Sequence, residues 1–212
     1  MSAFTDKVAS QAKAELARWG NGTGRETADP YSGYVGEYWS FGLDNNNING
    51  RTTFQDKKGK PYRPAWSSAF ISYVMKKAGA GAAFYYHEGH IHYVVKSLRD
   101  AATPGTTAKF LGRNPQSHAP KVGDLINAGR GDSKGIRYAT VLAAYGPKPV
   151  DQGAFMATHS DIVVSVDAAA RKLRTIGGNV ATDTVGEKTW QLNADGTLVK
   201  GKDLICVIEC LL

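Results

Sequence analysis

Ser67, His159 and Asn179 have the residue types, in the order, that a nucleophilic site could be built from. Such a site needs a hydroxyl or thiol, a base within hydrogen-bond reach, and a third group that orients the base. Ser67 stands in P-A-W-S-S-A-F-I-S (64–72), where small polar residues open an apolar run, so a helix is expected to begin at or beside it. A helix start offers free backbone N–H groups and the positive end of the dipole, which suit a nucleophile and its oxyanion. Serine also caps helices at that position, and the two roles are compatible. His159 precedes D-I-V-V-S-V and is expected at the mouth of a buried strand, where a lone histidine is more often structural than catalytic. Asn179 closes I-G-G-N beyond the next strand, and Gly177-Gly178 make a turn residue the simpler reading. Asp161 lies two residues past His159, on the same strand face, and is an alternative orienter or an ion-pair partner.

A second cluster, H-E-G-H-I-H, supplies His87, His90 and His92 around Glu88. Three histidines in six residues could bind zinc. The spacing is not the helical H-E-x-x-H pattern, because Gly89 interrupts it, so metal binding is the weaker reading. Cys206 and Cys210 lie in L-I-C-V-I-E-C-L-L, which reads as a buried terminal strand. Residues four apart on a strand are about 13 Å apart, too far for a disulfide. Both read as buried apolar thiols.

The elements that must position these residues are legible in outline. Phe4, Val8, Ala12, Leu16 and Trp19 recur at helical spacing, and Gly20, Gly22 and Gly24 end that helix. Residues 21–63, rich in Gly, Asn and Tyr, read as a long irregular segment ordered by Tyr31, Tyr34, Tyr38, Trp39 and Phe41. Helices are expected over 66–78, closed by Gly79, and over 90–101. Strands are expected at Val122–Ile126, Tyr138–Ala144, Asp161–Val166, Lys172–Ile176 and Leu204–Ile208. Helices first and strands second give a single α+β domain over 1–212, its antiparallel sheet packed on the N-terminal helices.

The net charge of +7 favours contact with polyanions. The basic residues are scattered, and no zinc-finger spacing or basic aromatic-laced helix marks a nucleic-acid binder. No window approaches the roughly 18–20 apolar residues of a membrane span. The N-terminus lacks the apolar centre of a secretory signal, so action outside the cytoplasm is expected to depend on another export route.

The order helix-start Ser67, strand-start His159 and next-strand Asn179 resembles the papain-like cell-wall hydrolases of the NlpC and CHAP groups. W-S-S-A-F-I at 66–71 is similar to the CHAP form W-C-A-A-F-V, and P-K-V-G-D-L-I at 120–126 looks like their strand motif. H-S-D-I-V-V at 159–164 and I-G-G-N at 176–179 resemble the histidine strand and third site. More closely, the chain resembles a bacterial family of unknown function in that clan, which shows P-W-S-x-A-F-I-S, then F-x-x-x-x-x-H-x-x-Y (here Phe84, His90 and Tyr93), then H-x-D-I-V and G-G-N. The departure is Ser67 where the typical enzymes have cysteine. Use of serine, loss of catalysis with binding retained, and an engineered substitution would each account for it.

The resemblance implies a papain-like NlpC-type core and hydrolysis of an amide bond in bacterial peptidoglycan, without a cofactor. His159 would be the base, Asn179 or Asp161 its orienter, and Trp66, His90 and Tyr93 would line the substrate site. The aromatic segment at 31–41 and the 84–93 region would form the groove. An antibacterial toxin acting in the periplasm or cell wall of a target cell is the expected setting, with a secretion-machine component and an immunity protein as partners. A phage lysis enzyme, a silent wall- or peptide-binding module, and a zinc hydrolase on His87, His90 and His92 are the alternatives.

Overall fold

The computed structural model describes residues 2–146, 156–181, 183–201 and 203–212. Helix α1 (Ala3–Arg18) begins at a reciprocal cap: Ser2 Oγ accepts the Thr5 N–H at 3.2 Å and Thr5 Oγ1 accepts the Ser2 N–H at 3.0 Å. Val8, Ala9 and Ala12 form its buried stripe. Helix α3 (Ser67–Ala78) follows the expected span and ends at Gly79, whose φ of 96° is a left-handed cap. Helix α4 (His90–Ala102) likewise agrees with the sequence reading.

Two expectations are corrected. The segment at 21–63 contains helix α2 (Tyr31–Leu43) and a short hairpin of β1 (Phe54–Gln55) and β2 (Pro61–Tyr62). Gly33, Gly36 and Gly42 lower the intrinsic helix propensity of α2 and conceal it. Packing overrides that cost. A Cβ on Gly42 would lie 2.8 Å from the Tyr73 nitrogen and 2.9 Å from the Ala69 carbonyl oxygen, so the glycine lets α2 cross α3 backbone to backbone. The second correction is Tyr138–Ala144, which is helical as α5 (Tyr138–Tyr145) rather than a strand. Short apolar runs do not distinguish the two by periodicity, and Ala139, Ala143 and Ala144 favour the helix.

The main sheet holds β3 (Phe110–Arg113), β4 (Leu125–Gly129), β5 (Thr158–Asp167), β6 (Lys172–Val180), β7 (Thr184–Gln191) and β8 (Leu204–Cys210). Its six strands run in the order β3-β8-β4-β5-β6-β7, with every neighbouring pair antiparallel. β3 and β7 carry no strong sequence pattern, and the expected strand at 122–126 begins only at Leu125. On one face, Leu125, Ile162, Val164, Ile176 and Ile205 join the helices in the large core. On the other, Ile126, Val163, Leu173 and Val207 pack with Leu192 and Leu198 in a smaller cluster. The protein is therefore α+β, with helices on an antiparallel sheet. Among the described residues no helix is long and apolar enough to cross a membrane.

Cys206 and Cys210 are free thiols on the terminal strand. Burial pushes Cys206 up to about 12 and Cys210 up to about 11, so neither supplies thiolate at neutral pH.

The helix layer touches the sheet closely at Gly178, where an added Cβ would meet Phe70 Cβ and Trp66 Cζ3 at 2.6 Å. Gly178→Ala is therefore expected to destabilise the fold by about 1–3 kcal/mol, as overpacking does. Urea unfolding measures it, and an unchanged midpoint would mean that α3 and β6 are not in contact in solution.

Candidate functional site

Ser67 is the first residue of α3, and Trp66 before it is clamped. The Trp66 indole stacks on Trp19 with centroids 5.0 Å apart, and its Nε1–H donates to Glu26 Oε2 at 2.7 Å. The first bond of this helix runs from the Phe70 N–H to the Trp66 carbonyl at 2.9 Å. The N–H groups of Ser67, Ser68 and Ala69 precede it and take no acceptor within the helix. Ser68 turns to the neighbouring loop, where its hydroxyl donates to the His87 carbonyl at 2.7 Å.

Ser67 does not meet His159. Its Oγ lies 2.6 Å from His90 Nε2, and His90 Nδ1 hydrogen-bonds the Tyr93 hydroxyl. His90 opens α4 and Tyr93 lies one turn on, so the two face the same way by helix geometry. On the neighbouring strands, Asn127 Nδ2 donates to Ser160 Oγ at 2.8 Å. One proton arrangement suits these contacts, with Ser67 donating to His90 and His90 to Tyr93. His90 then carries its proton on Nδ1, directed at Tyr93, and Nε2 accepts the Ser67 hydroxyl. Burial, then electrostatic repulsion from the His159 and Arg130 side chains, drives the His90 pKa well below its usual value. His90 is therefore a neutral acceptor at neutral pH.

His159 has a different partner. Its Nε2 pairs with Asp161 Oδ1 at 2.9 Å, while Arg130 Nη1 approaches Nδ1 at 3.4 Å. β5 and β6 are paired only as far as Ile162 opposite Ile176, and His159, Asp161 and Gly177 meet beyond that point. A Cβ at Gly177 would fall 1.9 Å from Asp161 Oδ1 and 3.0 Å from His159 Nε2, so only glycine leaves room for this pair. The neighbour that would orient His159 is Asp161 and not Asn179. Asn179 has φ of 55°, and its backbone carbonyl accepts from Arg130 Nη2 at 3.3 Å. The His90 and His159 rings stand 5.4 Å apart, edge to face.

The family described as "Uncharacterized protein conserved in bacteria (DUF2272)" matches residues 30–208. The chain belongs to this family. No curated protein and no solved structure gave a match. The matched span of this family member includes Ser67, His90, Tyr93, Arg130, His159 and Asp161, that is, both histidine clusters.

A cleft of about 580 Å³ opens beside the second cluster, bordered by Arg130, His159, Asp161, Lys188 and Trp190. Trp66, His90 and Tyr93, expected to line the substrate site, are buried and lie outside its border, as does Ser67, which is 3% exposed. The aromatics at 31–41 do not form the groove either. Tyr38 and Trp39 are core residues, with Tyr31 and Tyr34 packed against them. The zinc alternative also fails on geometry. The His87 and His92 rings stack with centroids 3.6 Å apart, whereas both nitrogens of His90 face Ser67 and Tyr93. Among the described residues no group of three or more His, Cys, Asp or Glu is placed to hold a metal ion.

The contact from Ser67 to His90 had no signal in spacing, and Arg130 was missed altogether. A lone arginine at a strand end looks like any solvated cation until the fold brings histidines to it.

Because the folded pKa of His90 is depressed, its neutral form is common to folded and unfolded chains above about pH 6.5. Below that, the unfolded chain takes the proton first, so stability falls as pH falls, by at most about 1.4 kcal/mol per pH unit for this group. His90→Gln is expected to show a shallower decline between pH 7 and 5 in denaturant titrations. An identical slope would show that His90 takes up protons equally in both states.

Proposed function

We propose that this protein is a serine-dependent hydrolase of amide bonds in bacterial peptidoglycan, with a papain-like core related to the NlpC and CHAP groups. The observation that carries the reading is Ser67 Oγ at 2.6 Å from His90 Nε2, at a helix start whose first N–H groups have no helical acceptor. In this reading His90 replaces His159 as the base that acts on Ser67.

As Ser67 Oγ attacks the carbonyl carbon, its proton passes to His90 Nε2 and the carbonyl electron pair moves onto oxygen. The N–H groups at the start of α3 stabilise that oxyanion. Collapse breaks the C–N bond, the amine leaves with the proton from His90, and an ester to Ser67 remains. Water then gives one proton to His90 and adds its oxygen to the ester carbon. The C–O bond to Ser67 breaks, the proton returns to Oγ, and the sum is amide plus water giving acid plus amine. Tyr93 holds the imidazole by accepting from Nδ1. His159, oriented by Asp161, stands on the cleft side of His90, where substrate would pass.

An antibacterial effector acting at the envelope of a target cell is the setting we propose, with an immunity protein in the producer. The net charge of +7 suits an anionic wall. A second reading, a silent module that binds wall peptides, is favoured by the near-complete burial of Ser67 away from the cleft border.

Mass spectrometry of purified peptidoglycan separates the two. New fragments are expected with the native chain and none with Ser67→Ala. His90→Gln is expected to be slower by roughly 10²–10⁴-fold. If folded protein binds wall but releases no fragments, the silent module is correct.

A further inference from the structure

Arg130 is the cation nearest the two histidines and has no acidic partner among the described residues. Five other arginines do pair with acids: Arg18 with Glu37, Arg51 with Asp29, Arg63 with Glu26, Arg113 with Glu209 and Arg174 with Glu187. The guanidinium contacts of Arg130 are long, 3.4 Å to His159 Nδ1 and 3.3 Å to the Asn179 carbonyl. A guanidinium has five N–H donors, and these two contacts leave most of the fork unused. Three acids also border the cleft, and each is engaged elsewhere: Asp161 is held by His159, Glu187 lies 3.5 Å from Arg174, and Asp203 Oδ1 accepts the Gly135 N–H at 3.1 Å.

The backbone of Arg130 is not adaptable. Its N–H donates to Ala157 at 2.7 Å, and its carbonyl accepts from Ser133 at 2.9 Å. Gly129 before it lies so close to Ser133 that a Cβ would fall 2.1 Å from the Ser133 carbonyl oxygen. The side chain is thus presented into the cleft from a fixed strand end. Lys188 also borders the cleft and has no acidic partner among the described residues, and its Nζ lies 3.6 Å from the Trp190 ring centroid. With its own three acids engaged by other groups, a cleft of about 580 Å³ that offers two cations without acidic partners and an indole suits a peptide that carries an acid.

We propose that Arg130, assisted by Lys188, binds a free carboxylate of a peptide lodged in this cleft, so that the protein selects acidic stem peptides over their amidated forms. A carboxylate matches the planar fork of Arg130 in a two-point contact that a neutral amide cannot reproduce. The inference rests on the hydrolase reading for the meaning of the peptide, whereas the binding step can be measured alone.

The test uses the Ser67→Ala protein, which cannot consume its ligand, and two probes: a purified peptidoglycan stem peptide as free acid, and the same peptide with its carboxylates amidated. Titration calorimetry should show tighter binding of the free acid. Adding Arg130→Gln should weaken free-acid binding by about ten- to a hundred-fold, the loss of a charge-assisted contact, and leave the amidated peptide unaffected. Arg130→Lys should recover part of the preference, since it keeps the charge without the fork. Equal binding of both peptides, binding of neither by folded protein, or a preference untouched by Arg130→Gln overturns the proposal. If the preference holds while the native chain cleaves neither peptide, the carboxylate site stands and the hydrolase reading fails.

Discussion

The close approach of the first turn of α3 to β6 is the contact on which the rest of the arrangement depends. Side-chain-free backbone at Gly178 lets Trp66 and Phe70 press on the strand. Trp66 is held from behind by Trp19 and by its bond to Glu26, so the position of Ser67 is determined from both sides. One residue earlier, Gly177 leaves the space that His159 and Asp161 occupy. Two adjacent glycines thus seat the serine on one side and the histidine–aspartate pair on the other.

Around that contact the polar groups divide into two sets. Ser67, His90 and Tyr93 form a buried chain in which the only base, His90, is kept neutral by burial and by neighbouring positive charge. His159, Asp161 and Arg130 form a second set that borders the cleft. Burying the first set is tolerable because its hydroxyls and ring nitrogens satisfy one another. In the proposed function, the division separates a site for covalent chemistry from a site for recognition, with His159 adjoining both.

The aromatic segment shows why composition misled. Tyr31, Tyr34 and Tyr38 are spaced for a helix, but three glycines in the same thirteen residues argued for a loop. In the fold, Tyr38 bridges the Trp19 indole, which donates at 2.7 Å, and buried Glu15, which accepts at 2.6 Å. These rings support the floor of α3 and do not touch a ligand cleft. The glycines that weakened the helix signal are what let α2 approach α3.

Local pattern alone determined the N-terminal helix, the start of α3 at or beside Ser67, helix α4, the buried strands around Ile162 and Val207, and the shared strand face of His159 and Asp161. Each depends on periodicity or on residues two to four apart, which the chain carries in its order. Helix α5 and the edge strands lay beyond that reach, because short runs of similar composition suit either structure until neighbours choose. Only tertiary structure decided that Ser67 meets His90 and not His159, that Asn179 offers its backbone and not its side chain, and that Arg130 reaches His159 on the border of a cleft. Those contacts join residues 23 to 49 positions apart, and their geometry follows from how strands separate and helices cross, which no local pattern encodes.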